Sequence, residues 1–293
     1  MKGYINERRP IMKNIKKLGL IASILVLALA LLASCGGGSS TSDSGSEGGD
    51  ADKTIKVAAS PTPHAEILNA VAGTLEKEGW TLEVEEFDDY VQPNVATTDG
   101  DVDANFFQHV PYLDEYNAQN GTKLVSVAAI HYEPMGVYAG TKKSFDELAD
   151  GDKIGIPNDA TNGARALLLL QDNGVIKLKD GAGVTATEQD IAENPKNIKI
   201  VPLEAATIPA SLPDLALGII NGNYAVGADL KISDAIATET EDSLAAETYA
   251  NVIVVNEENK DSEKTKALVA ALQTEEVKKF IDDNYAGAVK AKF

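Results

Sequence analysis

The sequence predicts an α/β protein in which two lobes close on a cleft. Three observations carry that expectation. Short β-branched apolar runs alternate with helical patterns through most of the 293 residues. The part able to fold is long enough for two lobes of ordinary size. Two stretches are also placed to carry the chain out of one lobe and back again. Alternation of this kind builds largely parallel sheets covered by helices.

Residues 55–59, 82–84, 124–130, 136–139, 154–156, 198–202 and 251–255 read as strands, being short, apolar and bounded by turn formers. Between them, Ile67, Leu68, Val71 and Leu75 fall on one helical face, and 164–171, 212–220, 264–272 and 277–285 carry the same period. The runs at 124–139 and 251–255 are the natural crossovers. They divide the body into a first lobe, 54–145 with 250–293, and a second, 146–249. No fixed-period repeat interrupts it.

Ahead of the body, Lys13, Lys16 and Lys17 precede an apolar run over 18–33, the anatomy of an export signal spanning 1–34. That run is shorter than the ~20 residues a spanning helix needs. It ends in Leu32-Ala33-Ser34-Cys35, which resembles the lipobox of bacterial lipoproteins and makes the chain's one cysteine a lipid attachment point. Several acyl chains anchor firmly where one is marginal. A lone cysteine has no internal disulfide partner, and acylation removes an exposed reactive thiol. Residues 36–52 are almost wholly Gly, Ser, Thr, Asp and Glu, a flexible leash running from Cys35 to 53. Removal of 1–34 takes away six basic residues and one acidic one, so the formal charge falls from −19 to −24. That balance argues against nucleic acid and against adhesion to anionic lipid; the membrane is met through the anchor only.

Catalytic signals are weak. His64, His109 and His131 stand in no metal-ligand spacing, and there is no nucleophile elbow. Asp99-Gly100-Asp101-Val102-Asp103 starts like a calcium loop, but Ala104 and Val110 stand where such a loop needs glycine and glutamate. Gly181-Ala182-Gly183 follows charged residues and no strand, so it is a loop and not a dinucleotide fingerprint. The expectation is a protein that is not an enzyme and has neither metal nor cofactor.

Three dense polar and aromatic islands stand out against an aromatic content of only 5%. The first runs from Phe87 through Tyr90 to Asn94, the second from Asn105 through Phe107, His109 and Tyr112 to Leu113. The third, from Pro157 through Asn162 to Arg165, follows a strand and opens a helix, a place where backbone N–H groups and a guanidinium can hold a carboxylate.

Asp89-Tyr90-Val91-Gln92-Pro93-Asn94, the run from Asp103 to Leu113, the run from Ile156 to Asn162 with Arg165, and Ile220-Asn221-Gly222-Asn223-Tyr224-Ala225 together resemble the MetQ/NlpA family of methionine-binding lipoproteins of bacterial ABC importers. The likeness runs from about Ile55 to the end. It implies a type II-like, periplasmic-binding-protein-like clamp with its ligand in the interlobe cleft. The cargo would be L-methionine, and the partners a membrane permease and its ATPase subunit. The protein would be a monomer, lipid-anchored to the cell membrane on its extracytoplasmic side. Another apolar amino acid or a methionine-containing dipeptide is the alternative cargo. By resemblance, Arg165 takes the ligand's carboxylate in a bidentate pair, and Asn162 lies in the same loop. Tyr90, Phe107, His109 and Tyr112 form the thioether pocket, while Asn221 and Asn251 supply polar contacts. Two departures from the family pattern are Ala210, where arginine is frequent, and Glu133 in the crossover Tyr132-Glu133-Pro134.

Overall fold

The computed structural model describes residues 53–240 and 248–293; Cys35, the export segment and the leash lie outside the described residues. Two sheets organise the rest. In the first, β1 (Thr54–Ala59) pairs parallel with β2 (Thr81–Glu86) and β3 (Ala104–His109). β12 (Asn251–Asn256) lies antiparallel between β3 and β4 (Leu124–Tyr132), and β13 (Lys290–Ala291) closes that side. The second sheet has the order β11 (Ala237–Thr238), β5 (Gly136–Ala139), β10 (Leu217–Ile220), β6 (Lys153–Pro157), β9 (Lys199–Leu203). A small pair, β7 (Lys177–Leu178) and β8 (Ile191–Glu193), stands apart.

The sheets are mixed and not simply parallel, for a topological reason. β5 is the first strand after the chain enters the second sheet, and β12 is the first after it returns. Each runs antiparallel to both neighbours. The chain crosses at 133–135 and again between Thr238 and Asn251. The first crossing comes before the boundary expected at 145, so Gly136–Ala139 counts with the second sheet.

Each sheet has its own core. α1 (Glu66–Lys77) buries Ile67, Leu68, Val71 and Leu75 against the first, as its spacing requires, beside the helices Glu263–Leu272 and Glu275–Tyr285. α4 (Ala160–Asp172) buries Leu167, Leu169 and Leu170 with Ile154, Ile156 and Ile219 of the second. Full burial of each such side chain contributes about 1.5–3 kcal/mol.

The helix expected over 212–220 is not one. A short helix, α5 (Ile208–Ser211), and a tight turn at Leu212–Asp214 lead into β10, in which every residue is buried. A continuous apolar run cannot be assigned by period alone. Gly218 shows what decides it, since a Cβ there would lie 2.7 Å from Leu212 Cδ2 and 3.1 Å from Ile208 Cγ2. Conversely β3, which the sequence pattern concealed, is buried at all six positions although Asn105, Gln108 and His109 belong to it. On the outer side of the first sheet, β2 carries Glu83, Glu85 and Glu86 exposed along an unpaired edge.

Candidate ligand-binding site

The carboxyl ends of β3, β6 and β10 lead into loops that meet over one cavity, the position at which open α/β sheets hold ligands. Local capping sets each side chain. β3 runs directly into α3 (Val110–Asn120), and His109 caps it, its Nδ1 accepting the Tyr112 backbone N–H at 3.2 Å. Asp89 accepts the N–H groups of Val91 and Gln92 at 2.6 and 2.8 Å, which fixes Tyr90 ahead of α2 (Gln92–Asp99). Asp159 caps α4 through the Asn162 N–H at 2.8 Å, one turn before Arg165. Asn221 stands at the start of α6 (Gly222–Gly227), and Asn251 opens β12.

The structure brings all eight residues singled out in the sequence, Tyr90, Phe107, His109, Tyr112, Asn162, Arg165, Asn221 and Asn251, around this cavity, with Gln108, Glu133, Gly222 and Asn223 completing its wall. Its free space, counting the mouth, is about 340 Å³. Tyr90, Phe107 and Tyr112 form a three-sided cage with ring centroids 5.8–6.0 Å apart.

The polar wall divides into engaged and unengaged atoms. Because His109 Nδ1 accepts, its proton is on Nε2, which donates to Asn162 Oδ1 at 3.2 Å. Burial and the nearby Arg165 hold His109 down to about 3, hence neutral. Asn162 Oδ1 also accepts from Asn221 Nδ2 at 2.8 Å, and Asn162 Nδ2 donates to Asp159 at 3.1 Å. Asn162 is therefore fully employed by the protein and positions His109 and Asn221. Asn221 Oδ1, by contrast, is buried with no partner.

Arg165 departs from expectation. Its Nε and Nη2 donate to Glu239 at 2.7 and 2.5 Å, and Nη2 also donates to the Glu133 carbonyl at 2.9 Å. The forked edge expected for a ligand carboxylate carries Glu239 instead, which leaves Nη1 as the guanidinium nitrogen no described residue engages. Burial alone would lower the Arg165 pKa, but the charge and hydrogen bonds of Glu239, with Tyr132 and Tyr249, hold it above its ordinary value.

Glu133, from the crossover, faces the cavity with two imidazoles behind it. His131 Nε2 lies 2.6 Å and His64 Nε2 3.5 Å from its Oε1, and His64 Nε2 lies 3.1 Å from Asn251 Oδ1. Neither Nδ1 has a partner. A bare lone pair costs less to bury than an orphaned N–H, so both rings carry their proton on Nε2 and donate towards Glu133 and Asn251. Burial holds His64 down to about 4 and His131 to about 3, and it raises Glu133 against the opposing pull of His64 and Arg165. These three ligating atoms lie within 4.8 Å of one another, yet neither ring has the outer hydrogen-bond partner that metal-bound histidines use. The cluster is a carboxylate held by imidazole donors. Gly222 makes room for it, since a Cβ there would lie 2.5 Å from Glu133 Cβ and 2.8 Å from Oε2.

A family model described as NlpA lipoprotein matches residues 55–293. The chain belongs to the NlpA lipoprotein family. It is 48% identical over 230 residues to the D-methionine-binding lipoprotein MetQ of Salmonella typhimurium, covering 77% of this chain and 83% of the relative. Among solved structures, it resembles a nutrient binding protein from Burkholderia cenocepacia bound to methionine, with 48% identity, a TM-score of 0.77 and coverage of 82% and 100% of the two chains. It also resembles an ABC transporter periplasmic substrate-binding protein from Coxiella burnetii, with 38% identity, a TM-score of 0.76 and coverage of 81% and 100%. The fold is the two-lobed α/β clamp of such substrate-binding proteins.

In this NlpA lipoprotein, the sequence assigned no site role to His64, Gln108, His131, Asn223 and Glu239. His131 and Glu133 form an alternating pair at a strand end, a legible signal. Glu239 stands in a polar stretch with none.

Proposed function

We propose that this protein is the substrate-binding lipoprotein of an ABC importer, capturing methionine as its zwitterion and delivering it to a membrane permease served by an ATPase subunit. The observation that carries the reading is a buried polar wall with hydrogen-bonding capacity to spare beside a three-ring cage. Glu133 and Asn221 Oδ1 are acceptors for an α-ammonium. Arg165 Nη1 and Asn251 Nδ2, which no described residue engages, are donors for the α-carboxylate. The cage of Tyr90, Phe107 and Tyr112 suits a thioether, since sulfur against ring edges is favourable by about 0.3–1.5 kcal/mol. The methionine-bound relative and the relatives named for D-methionine support the cargo.

In this reading the protein binds and does not catalyse. Residues 1–34 are removed, Cys35 is acylated, and 35–53 tether a monomer on the extracytoplasmic side of the cell membrane. The strands up to β4 with β12 and β13 form one lobe, and β5 to β11 the other. Thermal shift of lipid-free protein against the amino acids, in both L and D forms, tests the cargo: methionine should raise the midpoint through mass action. A midpoint unmoved by millimolar methionine but raised by another amino acid would refute it. Cys35→Ser should abolish labelling by a fatty-acid analogue, and undiminished labelling would refute the anchor.

A further inference from the structure

The way Arg165 is held bears on what the cavity reads in its ligand. Glu239 is saturated. Its Oε1 accepts from Arg165 Nε, and its Oε2 accepts from Arg165 Nη2, from the Tyr132 hydroxyl at 2.8 Å and from the Met135 N–H at 2.8 Å. The guanidinium lies over the Tyr249 ring at 4.4 Å. Both side chains are almost fully buried, so the pair is fixed on every side. Arg165 is the one cationic side chain in the cavity wall, and it is compensated within the protein. Glu133, whose own carbonyl accepts from Arg165 Nη2, has no cation bonded to its carboxylate, which is met by neutral imidazole and by a backbone N–H from Asn223.

We propose that Glu239 is a specificity-determining positioning residue: by occupying the forked edge of Arg165, it leaves the ligand's carboxylate one guanidinium nitrogen and makes the ammonium facing Glu133 the group this cavity reads most stringently. The inference rests on the amino-acid reading above and narrows its substrate class to primary α-ammonium compounds, including those whose carboxyl is masked as an amide. A ligand without the anion loses contact with a charge already paired. A ligand without the ammonium leaves the Glu133 carboxylate buried and unmatched, the costlier omission.

The test compares methionine, methioninamide and N-acetylmethionine by calorimetry on the wild type and on Glu239→Gln, in buffer of about pH 6 so that the amide's amine is protonated. The wild type should hold methioninamide within about tenfold of methionine and N-acetylmethionine weaker by roughly a hundredfold or more. In Glu239→Gln the uncompensated Arg165 demands an anion, so the preference for methionine over methioninamide should grow at least about tenfold. A merely structural Glu239 would move stability and leave that ratio alone. An unchanged ratio overturns the proposal. So does a wild type that rejects methioninamide as strongly as N-acetylmethionine, a result that stands even if the variant does not fold. If the wild type binds a different amino acid, the methionine reading falls, and the amide and N-acetyl forms of that amino acid decide the role of Glu239 by the same ratios.

Discussion

Two buried polar clusters meet along β3 and differ in whether their hydrogen bonds close. In one, Asn94, Thr97, Asn105 and Gln108 are at most 3% exposed and satisfy each other. Asn94 Nδ2 donates to Gln108 Oε1, Asn105 Nδ2 to Asn94 Oδ1 and Thr97 Oγ1, and Gln108 Nε2 to Asn94 Oδ1 and Asn105 Oδ1, all between 2.6 and 3.1 Å. In the other, the cavity wall, amides that are also buried leave Asn221 Oδ1 unpaired, and Arg165 presents Nη1 to no described residue. Gln108 belongs to both. Burial of a polar side chain therefore says nothing of function until its partners are counted: a closed network specifies a structure, and an open one keeps atoms free for a further partner.

Breaking the strongest closed contact should have the largest effect. Arg165→Ala strands Glu239 as an uncompensated buried charge and should cost about 3–5 kcal/mol of stability, read from the denaturant midpoint. A variant as stable as wild type would show that the pair contributes nothing to the fold. Glu133→Gln attacks the open cluster and should weaken methionine by about 2–5 kcal/mol in calorimetry; affinity within threefold of wild type, a gap well under 1 kcal/mol, would remove Glu133 from the ammonium site. Asn94→Ala should do the reverse, costing about 1–3 kcal/mol of stability while the folded protein keeps its affinity. Lost affinity there would merge the two clusters into one.

Acid should separate the clusters too, because the amide network does not titrate. His64, His109 and His131 are held below their ordinary 6.5, to about 4, 3 and 3. The unfolded chain binds more protons between those values, so stability falls as pH drops below about 6.5, by up to about 1.4 kcal/mol per pH unit for each histidine. Glu133, raised by burial, works oppositely between its ordinary 4.5 and its raised value. Chemical denaturation from pH 7 to 5 measures the slope; a flat profile would mean that the imidazoles protonate in place. The smallest change expected is Tyr112→Ala, which opens the cage and should narrow the preference for methionine over alanine by about 1 kcal/mol, leaving recognition of the ammonium intact.

Much of this was legible in the chain, and the failures have physical causes. Helix α1 and the helix carrying Arg165 announce themselves by period and by capping residues. β3 does not, because Asn105 and Gln108 break the apolar pattern and their compensation is made by Asn94, from another element. Glu239 is hidden for a like reason: its meaning lies in Arg165, 74 positions away. The stretch 212–220 misled because, beyond Asp214, a strand buried on both faces and a buried helix present the same apolar run.

β2 offers a last consequence. A tethered protein diffuses in two dimensions, and neighbouring copies meet far more often than in free solution. A bare edge strand would then be a template for pairing between copies. With Glu83, Glu85 and Glu86 exposed on a strand of six residues, that edge repels its own kind. Under the proposed lipid anchor, the acidity that keeps a free protein dissolved would act as a lateral spacer, letting tethered copies crowd a membrane without joining sheet to sheet.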